Sequence, residues 1–187
     1  MPLVGHREMR NLLTRILRTA PLLHLRRNHA LEHATIHLLS AQYPRTMLVG
    51  RSDIRGFSIY GSVPTFAVEQ AVHEALSRLR SGQRALAIHP NCGTNLMVSG
   101  LLAGTAAFLS VERLRRTSRK ARLADLPTVV ALTMLALAVS WPLGATIQKQ
   151  VTTEAGLAAL EVLSVRRWIA GPVTIHRVLT HNGDGTF

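Results

Sequence analysis

Apolar and polar positions alternate along this chain in four distinct rhythms. Residues 3 to 27 interleave Leu and Ile with Arg7, Arg10, Arg15, Arg18, Arg26 and Arg27, which predicts a basic amphipathic helix over the first 22 residues or so. Pro21 is expected to break it from a second helix, about Leu23 to Gln42, that ends at Tyr43-Pro44. Thr46–Gly50 and Gly56–Gly61 read as short strands around a polar turn, Arg51–Arg55. A third helix follows, about Phe66 to Leu79, capped by Thr65. Its apolar arc is Val68, Ala71, Val72, Ala75, Leu76 and Leu79, with Glu69 bordering it and His73 and Glu74 on the polar side. Ala85–His89 reads as another strand. Near the end, Leu160–Trp168 and Val173–Thr180 read as a β-hairpin turning at Ala170-Gly171-Pro172, before a turn-rich tail.

The fourth rhythm is continuous. Leu96 to Val111 is apolar apart from Ser, Thr and Gly, and Leu126 to Ile147 carries no charge over 22 residues. About 20 apolar residues cross a bilayer, so residues 94–148 predict a transmembrane hairpin. Gly100 and Gly104 form a G-x-x-x-G pair, which would let the two helices, or two protomers, approach closely. A hairpin returns the chain to the side it left. The terminal strands can therefore join the earlier ones, and the expected fold class is α+β: one mixed domain of residues 23–93 and 150–182, interrupted by the membrane hairpin.

Composition adds partners and location. Twenty-two Lys and Arg against ten Asp and Glu give a net charge of +12, and the aromatic content is only 4%. Cation excess with few stacking platforms favours anionic lipid headgroups over nucleic acid. The connection 112–125 between the apolar runs is itself basic. The positive-inside rule would place it in the cytoplasm, but the twelve arginines of residues 1–93 would then lie on the far side. No continuous apolar segment follows the N-terminal arginines, so no cleavable leader is expected. The reading is a multi-pass cell-membrane protein with two spans, and the single cysteine, Cys92, excludes an internal disulfide.

Candidate chemistry concentrates in NHALEHATIH, Asn28–His37. A step of 100° per residue puts His29, His33 and His37 on one helix face. His29-Ala30-Leu31-Glu32-His33 fits H-x-x-E-H, in which two imidazoles one turn apart can grip one ion. The five residues resemble the motif of inverzincin metallopeptidases. That resemblance implies zinc on His29 and His33, activation of a metal-bound water by Glu32, and a further glutamate, with Glu69 the better placed. Without a metal, the three histidines would instead bond within a packed interface. HPNCGTN, His89–Asn95, enters the first apolar run. There Cys92 is a candidate nucleophile with His89 as base, a soft ligand completing the histidine site, or a small buried residue at a helix cap; Asn95 and the distant His176 are further candidates.

NHALEHATIH, GFSIYG-VPT, LAIHPNCGTN, LGATIQKQVTT and a late IHRV together resemble an uncharacterised bacterial family of membrane proteins carrying a domain of unknown function. The resemblance spans about residues 24 to 180 and implies one structural unit. Two functions follow as expectations: a metal-dependent hydrolase acting near the membrane, or a non-catalytic membrane subunit or assembly factor with structural histidines.

Overall fold

The computed structural model describes residues 3–115, 119–157 and 159–183; the side chains of residues 3–7, 10, 113–115 and 119–124 lie outside that description, and so does most of the basic connection 112–125. The chain divides into two units, residues 1–89 with 149–187 and residues 90–148.

In the first unit, α1 (Leu3–Leu17) leaves Met9, Leu12, Leu13 and Ile16 exposed. It meets α2 (Ala20–Gln42) through a short break at Arg18-Thr19. Pro21 does not separate these helices by breaking one. It sits in the first turn of α2, where its missing N–H costs nothing. α2 is buried through most of its length and packs on α3 (Thr65–Arg80), whose buried residues are the apolar arc expected from its periodicity, together with Ala67. Pro64, not Thr65, occupies the cap position of α3, and no side-chain cap bond is made there.

Four antiparallel strands run in the order β1 (Val49–Asp53), β2 (Gly56–Tyr60), β4 (Val173–Asn182), β3 (Leu160–Ala170). The α+β class holds, with the late hairpin inserting β4 beside β2. Phe57 opposite Val178 and Ile59 opposite His176 face the helices and are fully buried. β1 begins three residues later than the apolar pattern suggested, because its inward positions are Gly50 and Ser52, which meet the Glu32 carboxyl of α2. Ala85–His89 is not a strand. Arg84–Ala87 is a turn of 3₁₀ helix, and the carbonyls of Ala87 and Ile88 bond to His33 and His37 rather than to a neighbouring strand.

The second unit is a helical hairpin of α4 (Gly93–Arg115) and α5 (Arg119–Ile147). Both helices are long and apolar enough to cross a membrane, and none of the apolar side chains described in them is buried. A Cβ built at Gly100 or Gly104 meets nothing within 4 Å, so that pair does not join α4 to α5. The close approach is at Gly144, where a Cβ would stand 3.3 Å from the Asn95 backbone and closer still to its amide. Ser99 and Ser140 share a 2.6 Å hydrogen bond, and Asn95 accepts one of 2.8 Å from Gln148.

Candidate functional site

α2 uses its two long faces differently. One face docks on the sheet. The fully buried Asn28 donates to the carbonyl of Asp53 at 2.8 Å and accepts from the Thr180 hydroxyl at 2.7 Å, tying the helix to β1 and β4. One turn on, Glu32 is 4% exposed, accepts from the Ser52 hydroxyl and lies against Gly50. The carboxylate that the five-residue motif would set to activate water is therefore directed at β1.

The other face carries the histidines. The His29 and His33 rings lie against each other, tilted by 60° with centroids 4.2 Å apart, and each offers a ligand nitrogen within 4.8 Å of the other. His89, just after the 3₁₀ turn, completes the row, with centroids 5.8 Å from His33 and 4.7 Å from His37. Three of these rings are held by main-chain carbonyls: His29 Nδ1 to Thr152 at 3.0 Å, His33 Nδ1 to Ala87 at 2.8 Å and His37 Nε2 to Ile88 at 2.8 Å. A carbonyl can only accept, so each bonded nitrogen is the N–H nitrogen, and a neutral ring then carries its lone pair on the other one. That places the lone pair on Nε2 of His29 and His33 and on Nδ1 of His37. Fixing a tautomer through a carbonyl is how proteins orient imidazole ligands.

The electrostatics favour a neutral ring at His89. Burial, and then the neighbouring His37 and His33, push the His89 imidazolium down to about 4. At neutral pH His89 therefore keeps a lone pair to donate. Two nitrogens on one tetrahedral ion at bonds of ~2.0–2.1 Å stand about 3.3 Å apart. The ligand nitrogens of His29 and His33, within 4.8 Å of each other, are near enough for side-chain rotation to reach that spacing.

Glu69 and His176 stand on other elements. Glu69 is exposed on α3, outside its buried arc. His176 is fully buried on β4, with Nε2 3.3 Å from the Thr65 hydroxyl, no partner at Nδ1, and a pKa lowered by burial and then by Arg167. Cys92 and Asn95 belong to the helical hairpin. Cys92 is buried ahead of α4, and its sulfur accepts the Thr94 N–H at 3.4 Å. Asn95 donates to the Pro90 carbonyl at 2.7 Å. Both line a cleft of about 400 Å³ together with Ser99, Leu137, Ser140 and Trp141, and no histidine, carboxylate or lysine lines it among the described residues. Sequence reasoning missed the role of the carbonyls of Ala87, Ile88 and Thr152. Main-chain acceptors leave no trace in residue type.

No solved structure matches the chain. An uncharacterized protein of Picosynechococcus sp. (strain ATCC 27264 / PCC 7002 / PR-6) is 44% identical over 101 residues, 47% of this chain and 49% of its own length. The chain thus spans about half the length of the curated relative it matches. The model of one family covers residues 24–165, taking in the histidine row, the helical hairpin and the start of β3. By that match the chain belongs to the family described as Domain of unknown function (DUF6391).

Proposed function

We propose that this protein is an integral membrane protein whose α+β unit holds a first-row divalent metal ion, zinc being the natural occupant of an imidazole set. One observation carries the reading: His29, His33 and His37 form a row with His89, and each of the three is locked by a main-chain carbonyl into one tautomer. Three or four neutral imidazoles suit zinc, copper or nickel. His29 and His33, whose ligand nitrogens lie within 4.8 Å of each other, are taken as the first two ligands and His89, the next ring of the row, as a third, while His37 steadies the row.

The placement of the carboxylates supports a holding site over a hydrolytic one. A water-activating glutamate must stand beside the ion. Glu32 is engaged by Ser52, and Glu69 faces solvent. The two long apolar helices and the exposed apolar face of α1 support residence in the bilayer.

The test is metal analysis of the chain purified in mild detergent, loaded with Zn²⁺ and desalted. About one zinc per chain is expected, with loss in His29→Ala and His33→Ala while circular dichroism stays unchanged. No stoichiometric metal in the wild-type chain, or equal metal in both variants, overturns the reading. The histidines would then be structural, as in a non-catalytic membrane subunit or assembly factor. Cys92→Ser measures whether the thiol offered by the sequence adds to the ligand set. Zinc-dependent hydrolysis lost in Glu32→Gln would restore the enzyme.

A further inference from the structure

We propose that the open face of the sheet, led by the tip of the β3–β4 hairpin, docks on an anionic bilayer surface. The inference rests on the membrane reading above and adds to it a surface and a ligand chemistry. α2 and α3 cover the face that carries Phe57, Ile59 and Val178. Side chains alternate across a strand, so the registers place the next positions on the opposite face. One cross-strand row there is Arg51, Ser58, Arg177 and Arg166, and the adjacent row is Val49, Tyr60, Ile175 and Trp168.

The arginine row is costly by itself. Arg166 and Arg177 are direct cross-strand partners, and like charges placed opposite each other destabilise a sheet. Asp53 grips Arg177 with two contacts of 2.7 Å, while Arg51 and Arg166 stay exposed. The turn between β1 and β2 adds the exposed Arg55. An array of guanidinium groups at strand spacing matches a layer of phosphates, each taken in the planar fork that arginine offers.

The apolar neighbours choose between phosphate surfaces. Trp168 is 43% exposed on the same face as the arginines, three residues from the Gly171 turn; Val49 at the far end of its row is 53% exposed, and Ile169, beside Trp168 at the tip, is 63% exposed on the opposite side of the strand. Exposed Val and Ile gain nothing on a nucleic-acid backbone. They gain by entering the headgroup layer, where tryptophan also settles. Charge and apolar exposure together therefore fit anionic lipid.

The chain has two tryptophans, Trp141 and Trp168, so a Trp141→Phe background leaves Trp168 as the reporter. The full chain is reconstituted in nanodiscs of brominated phosphatidylcholine, or of an equal mixture of brominated phosphatidylcholine and phosphatidylglycerol. Stronger quenching and a blue shift of Trp168 are expected in the anionic discs. Arg51→Gln with Arg166→Gln should weaken docking about 30-fold, at ~1 kcal/mol per arginine near an anionic surface, and return quenching to the neutral-lipid level. Equal quenching in both discs, no effect of the double variant, or shielding of Trp168 from iodide by single-stranded RNA in place of the anionic bilayer overturns the proposal. Alkaline carbonate extraction separates the two readings. If it releases the chain, the spanning helices fail as membrane anchors, and flotation of the released chain with phosphatidylglycerol vesicles still decides the sheet.

Discussion

Asn28 opens the histidine motif, yet its chemistry is architectural. It is fully buried and spends its amide on Asp53 and Thr180. Asn28→Ala leaves the buried Thr180 hydroxyl and the part-buried Asp53 carbonyl without their partner, at about 1–3 kcal/mol for a buried group so stranded. We therefore predict a loss of about 3 kcal/mol, measured by urea titration of the detergent-solubilised chain, with zinc stoichiometry retained under native conditions. Gly50 is the complementary case. A Cβ there falls within contact of the Glu32 carboxyl, and Glu32 is boxed in by Ser52. Gly50→Ala should cost about 1–3 kcal/mol by overpacking, and Glu32→Ala should relieve part of it, so the double variant is less destabilised than the sum of the singles. Additive losses would mean that the two residues do not share this space. The helical periodicity brought His29, His33 and His37 together correctly. It could not tell which face of α2 meets the sheet, because Asn28 and Glu32 are polar residues on a buried face. Burial of that kind follows from partners on β1 and β4, which lie 25 and 152 positions away from Asn28 in the sequence.

At the scale of elements, α4 and α5 show why a motif and a packing contact need not coincide. The G-x-x-x-G spacing is visible in sequence, but Gly100 and Gly104 face open space while Gly144 meets Asn95. Gly144→Leu should push the helices apart and lower the thermal midpoint in detergent. Gly100→Leu and Gly104→Leu should leave the hairpin unchanged, and a loss of stability in either would contradict this packing. In β4, His176 gives the sheet a pH dependence with a definite sign. Burial, then Arg167, hold its folded pKa below the ordinary 6.5. The unfolded chain therefore binds the proton more readily, and stability rises with pH through the window below 6.5. Stability from this group is complete above about pH 6.5 and is lost as pH falls toward the folded value, with a slope of at most about 1.4 kcal/mol per pH unit. His176→Gln should flatten that part of the profile in pulse proteolysis across pH 5 to 7; an unchanged slope would assign it to another group. The strand expected at Ala85–His89 failed for an element-scale reason. Its carbonyls are the acceptors that orient the histidines, so they are taken from any ladder.

For the whole molecule, the question is how residues 149–183 rejoin a unit that the chain left at residue 89. The terminal hairpin supplies one answer, through the pairing of β4 with β2, and the sequence made it readable as two alternating stretches around Gly171-Pro172. Arg26 supplies the other, and nothing in a run of basic residues distinguished it from its neighbours. It is 8% exposed, donates to the carbonyls of Val151 at 2.7 Å and Thr153 at 3.0 Å, reaches Leu17 at 3.2 Å, and stands 3.6 Å from the Glu154 carboxylate. The Arg26 carbonyl in turn accepts the Glu154 N–H at 3.0 Å. The guanidinium on α2 thus links α1 to the returning segment, and its bonds to Val151 and Thr153 flank Thr152, whose carbonyl orients His29. Lysine at this position keeps the charge but presents one donor point where arginine spans several carbonyls. Arg26→Lys is therefore predicted to destabilise by about 2–3 kcal/mol, the scale of stranding one or two buried carbonyls. It should also raise trypsin cleavage at Lys149 severalfold and weaken zinc retention, because the segment that aims His29 is loosened. Wild-type zinc retention in an Arg26→Lys chain that is readily cleaved at Lys149 would separate the two functions of the clamp, and would show that His29 is oriented without the returning segment.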